Sequence, residues 1–137
     1  MFERILLAVD GSRHSAKAIP AAADLASRYG AEVLVFHARE HELALGVDVD
    51  AETPDEAMML VDAIVRELKD RGIAVRGEIV RVPMGDTARA ILDATHDEHM
   101  DLIVMGTRGL SEWSRLLMGS VAHDIVHLAD IPVLIVR

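Results

Sequence analysis

The sequence contains no cysteine, few aromatic residues and no long apolar segment free of charge. The absence of cysteine among the 137 residues excludes disulfides, thiol nucleophiles and thiolate metal sites. Because the longest apolar runs are short, we expect no membrane-spanning helix. The opening residues, Met1–Asp10, lack the small-residue cleavage pattern of a signal peptide. These features fit a cytoplasmic protein, which is the location we expect.

Positive charge is also scarce. The chain has 14 Lys and Arg residues against 23 Asp and Glu residues, and its formal net charge is −9. Nucleic-acid binding needs a basic surface that replaces phosphate counterions, and no basic run is present. We therefore expect no nucleic-acid partner, and an anion would have to be bound by backbone amides, helix ends or a few arginines.

Apolar residues make up 51% of the chain, which is enough for a folded core in a single domain spanning residues 1–137. Apolar strand patterns alternate with helical patterns. The predicted strands are Arg4–Asp10, Ala31–Ala38, Ile73–Val82, Asp101–Gly106 and Ile131–Arg137. This alternation predicts an α/β fold with a five-stranded parallel doubly wound sheet, strand order 3-2-1-4-5 and helices on both faces.

The predicted helices are bounded by recognisable end signals. Ser12 can cap the first helix, which ends at Gly30, and Pro54 suits the first turn of the second. The third lies within Gly85–His99, and the last runs from about Ser120 to Leu128. The long acidic segment Arg39–Thr53 is expected to be a solvated, mobile loop.

Two separated segments are expected to meet at one crevice of this sheet. Ligands of doubly wound sheets bind beyond the carboxyl ends of the strands where the winding reverses, here between the first and fourth strands. Those strands end at Asp10-Gly11 and Met105-Gly106. Gly119-Ser120 then opens a helix, whose free amides and dipole attract phosphate. Arg108 and Arg115 would add positive charge. The alternative is that the glycines serve turns only and Ser120 is a simple N-cap.

The chain resembles the universal stress protein family from end to end. The resemblance rests on "ILLAVDGS", "VLVFHA" and "DLIVMGTRG…MGSVA…IPVLIVR". The family's ATP-binding subset carries Gly-x2-Gly-x9-Gly-Ser/Thr, which Gly106, Gly109, Gly119 and Ser120 match in full. The resemblance implies that ATP binds here together with Mg²⁺, which often relies on phosphates and water rather than a protein cage.

The resemblance also implies a role for each matching position. The adenine and ribose end would be formed by Ala8, Val9, Asp10, Ala38, Met105 and Gly106. The phosphate end would be formed by Gly109, Gly119, Ser120 and Val121. One departure is His123, where family members often have an acidic residue that would complete a capping box; a bound phosphate would relieve the resulting conflict with the helix dipole.

Members of the family are similar in dimerising through the last strand. Here "VLIVR" is an apolar edge that would invite pairing with a second copy, which implies a homodimer. The alternative is that the strand is short enough to remain a tolerable edge.

Three functions therefore stay open. The first is an ATP-binding regulatory protein of the stress response that acts as a nucleotide-dependent dimer. The second is a slow ATPase or ATP-using enzyme, for which only Asp10 and His123 are nearby candidates and no catalytic arrangement is recognisable. The third is a dimeric interaction module without nucleotide.

Four other patterns receive plainer interpretations. "HDIVH" has zinc-protease histidine spacing but no glutamate base or third ligand, and "DVDAE" lacks the glycine that a calcium loop needs. His37 is expected to be a hydrogen-bonded structural histidine. Trp113 is expected to be a buried anchor, or alternatively part of a mobile lid.

Overall fold

A computed structural model describes residues 1–107 and 118–137, and it has the predicted α/β fold. The strands are β1 (Arg4–Ala8), β2 (Glu32–Ala44), β3 (Val47–Asp50), β4 (Val75–Pro83), β5 (Leu102–Gly106) and β6 (Val133–Val136). The helices are α1 (Arg13–Tyr29), α2 (Pro54–Asp70), α3 (Thr87–Asp97) and α4 (Ser120–Leu128). None of the helices in these two ranges has the length and apolar character required to cross a membrane.

Within residues 1–107 and 118–137 the sheet has six strands, so the predicted count of five is wrong. β4, β2, β1, β5 and β6 are parallel neighbours, and this arrangement corresponds to the predicted order 3-2-1-4-5. The additional strand is β3, which pairs antiparallel with β2. The full sheet is therefore mixed rather than parallel.

β3 lies in the segment that was expected to be a mobile loop. β2 runs for 13 residues, well beyond the end of β1, and then turns into β3. The turn uses two residues with positive φ, Leu45 at 51° and Gly46 at 77°. The acidic segment is thus a β-hairpin that extends past the carboxyl end of β1.

Side-chain pairs between β2 and residues 48–52, which include the end of β3 and the two residues after it, stabilise this charged hairpin. They lie on one face and are diagonal neighbours, since the register places His41 opposite Asp50; long side chains of opposite charge still reach each other across such a diagonal. The pairs, here called the charge ladder, are His37–Glu52, Arg39–Asp50 and His41–Asp48. Arg81 on β4 reinforces the ladder, donating to Asp48 Oδ2 at 2.7 Å and Asp50 Oδ1 at 2.8 Å. The carboxylates are therefore matched by cations from β2 and β4, a long-range arrangement that local composition does not reveal.

The hydrogen bonds of the charge ladder shift the pKa values of Asp48 and Arg81. Hydrogen bonds from Arg81 first, and from His41 second, hold the pKa of Asp48 below its ordinary value of 3.8. Hydrogen bonds to Asp48 and Asp50 raise the pKa of Arg81. Both shifts favour the charged forms of these two side chains in the folded protein.

Helices cover both faces of the sheet, as predicted. Alternate residues of β1 point to opposite sides: Ile5 and Leu7 belong to one core cluster, and Leu6 and Ala8 to the other. The first cluster includes buried residues of α1 and α2, and the second includes buried residues of α3 and α4. Two apolar layers therefore hold the strand ends in fixed positions.

The helix ends follow the sequence signals closely. Ser12 caps α1 by accepting a hydrogen bond from the Ser15 amide at 3.1 Å, and Gly30 ends the helix at φ 67°. Thr53 and Glu56 form a capping box at the start of α2. α4 spans the predicted Ser120–Leu128. The positions of the helix starts around the sheet edge were thus predictable.

Candidate functional site

A cleft of about 370 Å³ opens at the carboxyl ends of the strands. It contains every predicted site residue within the described part of the chain: Ala8, Val9, Asp10, Ala38, Met105, Gly106, Gly119, Ser120 and Val121. Arg108, Gly109, Trp113 and Arg115 lie outside the described residues. The structure therefore brings the ends of β1 and β5 to one cleft, as the sequence predicted.

The turn after β1 forms one side of this cleft and is held by local hydrogen bonds. Asp10 Oδ1 accepts from the Ser12 amide at 2.9 Å, and the Asp10 amide donates to Ser15 Oγ at 3.1 Å. Gly11 has φ 84°, a conformation that favours glycine. The turn thus positions the Asp10 carboxylate at the cleft, and among the described residues its Oδ2 accepts no hydrogen bond.

Gly106 is required by packing rather than by its backbone conformation. A Cβ at this position would come within 2.7 Å of the Ser15 amide nitrogen and closer still to the carbonyl group of His14. The first turn of α1 therefore rests directly on the end of β5. This close contact gives Gly106 a structural role that the motif alone did not suggest.

The start of α4 supplies backbone amides to the cleft. Gly119 is the N-cap, at φ −60° and ψ 157°, and in the described chain no side chain caps this end. The Gly119 amide donates to the Thr107 carbonyl at 2.8 Å, which holds the helix start beside the end of β5. Amides in the first turn of a helix lack intrahelical partners, so those of Ser120 and Val121 remain for a ligand.

This geometry corrects the expectation about His123 and excludes the alternative that Ser120 is the N-cap. Ser120 is the first helical residue and not the N-cap, so His123 does not occupy the capping-box position. The side chain of His123 is 60% exposed, and its ring stacks on that of His127 with centroids 4.3 Å apart. His127 Nδ1 donates to the His123 carbonyl at 2.8 Å. In the described part of the chain, no group of three or more metal-ligating side chains is present.

A second wall of the cleft consists of His37 and Glu52. His37 is only 4% exposed, and its Nδ1 donates to the Val9 carbonyl at 2.7 Å. Its Nε2 forms a short hydrogen bond with Glu52 Oε1. The prediction of a hydrogen-bonded histidine is confirmed, but its place in the cleft was missed.

The opposite wall combines an apolar slot with one polar pair. Ile91, Val121 and Ala122 contribute apolar surface beside Ala38. Thr87 Oγ1 donates to Glu40 Oε1 at 2.7 Å, and both residues line the cleft. The sequence does not point to Glu40, because the acidic composition of Arg39–Thr53 predicts a loop there. If β2 is extended past Ala38, Glu40 lies two residues further along the strand and therefore on the same face as Ala38.

The charge of the cleft is uneven. Its described lining includes three acidic residues, Asp10, Glu40 and Glu52, together with His37 but no lysine or arginine. In this lining, an anionic ligand group would therefore depend on the backbone amides of α4 and its helix dipole.

The fold and the site define a class: doubly wound α/β proteins with a ligand cleft at the carboxyl edge of the sheet, beside a helix N-terminus. The sequence profile of the universal stress protein family matches residues 1–137. The chain belongs to that family.

Two curated relatives match over their full lengths and over this whole chain. One is a universal stress protein of Thermus aquaticus, named for its place in the QAH/OAS sulfhydrylase 3′ region, with 39% identity over 149 residues. The other is universal stress protein YxiE of Bacillus subtilis, with 30% identity over 151 residues.

Solved structures share the fold. MJ0577 of Methanocaldococcus jannaschii superposes with a TM-score of 0.83 at 24% identity, covering 99% of this chain and 96% of that one. A universal stress protein in complex with cAMP gives 0.65 at 26% identity, with 99% and 97% coverage. The Archaeoglobus fulgidus protein in complex with dAMP gives 0.72 at 20% identity, with 100% and 98% coverage.

Proposed function

We propose that this protein binds ATP in the cleft and acts as a nucleotide-dependent regulator of the stress response. One observation carries the proposal: the end of β1, the end of β5 and the uncapped start of α4 line one cleft. Homologous folds described with cAMP and with dAMP support adenine-nucleotide chemistry for the family. The predicted motif residues of the described chain all lie at this cleft.

The parts of the cleft suit the parts of a nucleotide. Ile91, Val121 and Ala122 offer an apolar slot for a base, and Asp10 Oδ2 offers an acceptor for a ribose hydroxyl. Ser120 and Val121 place free amides where phosphate oxygens would lie, and Gly119 before them leaves the approach open. The backbone at Gly119 is extended, so glycine serves close approach there rather than an unusual φ.

Mg²⁺ would accompany the phosphates in this proposal. The described residues contain no cluster of three or more metal-ligating side chains, so phosphate oxygens and water would supply most of its ligands. The protein would then bind the metal through the nucleotide.

Regulation is favoured over catalysis because neither candidate base is arranged for water activation. Asp10 Oδ1 is already engaged by the Ser12 amide, and His123 stacks on His127 with an exposed ring. A slow ATPase is the second candidate. A nucleotide-dependent regulator must bind ATP differently in two conformations, since equal affinity shifts no population.

The direct test is to denature the purified protein and analyse the nucleotide that it releases, followed by calorimetric titration with ATP. Gly119→Val should abolish binding because its side chain would fill the approach to the helix amides. Ala74→Val adds bulk at an exposed position away from the cleft and should bind like the parent. Binding by Gly119→Val with the parent affinity would refute the proposed phosphate site. A timed phosphate-release assay distinguishes regulator from ATPase.

The proposed regulator is a cytoplasmic homodimer that pairs through β6. Among the described strands, β6 ends the sheet path and pairs only with β5, and Leu134 is 37% exposed. Antiparallel pairing with a second copy would cover this edge. Leu134→Lys should shift the mass measured by light scattering toward the monomer, whereas Leu128→Lys, at an exposed position outside the strand, should not. An unchanged dimer in Leu134→Lys would argue against this interface.

A further inference from the structure

Glu40 stands out in the cleft because it is a carboxylate beside an apolar slot. It lies two residues beyond Ala38 on β2, and residues at this spacing share one face of a strand. Ala38 packs against the cluster that includes Ala88 and Ile91 of α3. The strand therefore directs Glu40 toward the α3 side of the cleft, where Ile91 and Thr87 also line it.

A hydrogen bond fixes the orientation of this carboxylate. Thr87 Oγ1 donates to Glu40 Oε1 at 2.7 Å. Thr87 is the first residue of α3, so the positive end of the helix dipole also faces the carboxylate. Because Thr87 already donates to Oε1, the carboxylate keeps one orientation. Its remaining lone pairs can then accept a hydrogen bond from a ligand in the cleft.

We propose that Glu40, positioned by Thr87, selects the base by accepting a hydrogen bond from the exocyclic amino group of a 6-aminopurine. The inference rests on the proposed function, since it assigns the apolar slot to the base. An ionised carboxylate only accepts hydrogen bonds. Adenine offers a donor at its 6-position, whereas hypoxanthine and guanine place a keto oxygen there, which a carboxylate repels.

The test compares ATP with purine riboside 5′-triphosphate, which differs only by lacking the amino group. Calorimetric titration of the parent protein should show about tenfold or greater preference for ATP, as expected for a hydrogen bond to a charged group. Glu40→Ala should bring the two dissociation constants close to equality. Glu42→Ala removes the same charge from the same strand outside the cleft and should keep the parent ratio.

Two further variants separate recognition from a structural effect. Glu40→Gln presents an amide that can also donate, so it should raise the affinity for inosine triphosphate relative to ATP. Thr87→Val removes the positioning hydroxyl and should lower the ATP preference without changing the charge. A variant that merely loosened the fold would weaken all these nucleotides together and leave their ratios unchanged.

The outcomes distinguish this inference from the function on which it rests. Failure of the parent protein to bind any of the nucleotides would overturn both. ATP binding with an unchanged preference in Glu40→Ala would overturn the role of Glu40 and leave the nucleotide site intact. Preference of the parent protein for GTP over ATP would also overturn the assignment, because the 6-keto oxygen would then be accepted.

Discussion

Gly106→Ala should destabilise the protein although it adds a single methyl group. Gly106 is buried at the end of β5, and the new Cβ would lie within 2.7 Å of the Ser15 amide nitrogen. Non-bonded carbon atoms prefer separations of about 3.5–4.0 Å. The atoms in the way are backbone atoms of His14 and Ser15, so no side-chain rotation relieves the overlap and the first turn of α1 must shift.

The structure allows a magnitude to be estimated for this change. Inserting a methyl group into a tightly packed site costs about 1–3 kcal/mol, and a rigid backbone neighbour favours the upper end. A loss of about 3 kcal/mol corresponds to a decrease in Tm of roughly 10 °C for a chain of this length. Since Ser15 Oγ also accepts from the Asp10 amide, the shift would disturb the turn that lines the cleft.

Urea unfolding followed by circular dichroism would measure this loss of stability. Gly119→Ala is the matched control from the same motif, because its extended backbone accepts alanine and it should change the free energy of unfolding by less than about 1 kcal/mol. A Gly106→Ala variant as stable as the parent would show that the end of β5 is not held against α1 as described.

Three other substitutions test the hairpin and the helix cap. Thr53→Ala should cost about 1 kcal/mol in urea unfolding because it removes the capping box of α2; no loss would mean that the cap is dispensable. His37→Leu should cost about 2 kcal/mol in the same assay, since it leaves Glu52 without its buried partner, and equal stability would contradict that pairing. The lowered pKa of Asp48 means that its contribution is present above about pH 4, the ordinary value being 3.8, and is lost as pH falls through the lowered pKa. The difference in Tm between the parent and Asp48→Asn should therefore be larger at pH 7 than at pH 3, and a constant difference would refute the assignment.

The five parallel strands of the sheet could be predicted because their signals are local. The apolar runs around β1 and β5 mark buried strands, and Ser12, Gly30 and Pro54 mark helix ends. Right-handed crossover then leaves few arrangements for the strands. The same topology brings the ends of β1 and β5 together, which is why the nucleotide-motif positions could be placed at one crevice.

The hairpin was missed because its cause is not local. Asp48 and Asp50 give β3 the composition of a solvated loop. Their partners are Arg39 and His41 on β2 and Arg81 on β4, which is more than 30 residues away. Glu40 and Glu52 enter the cleft only because this hairpin forms, so both were missed with it.

The role of Gly106 shows a different limit of sequence interpretation. A glycine in a nucleotide-binding motif suggests close approach of the ligand, yet the space beside Gly106 is occupied by the backbone of His14. Gly119 has no positive φ and sits at the uncapped helix start, which fits close approach of phosphate. Two glycines of one motif are therefore expected to respond differently to the same substitution.

The uneven charge of the cleft also constrains the direction in which a nucleotide could bind. Glu40 and Glu52 lie on the β2–β3 side, and their negative charges would repel phosphate there. Ser120 and Val121, at the positive end of the α4 dipole, offer amides on the other side. A ligand with an amino-bearing base at one end and phosphates at the other satisfies both sides in one orientation only, because reversing it would place phosphate against carboxylate and leave the helix amides unpaired.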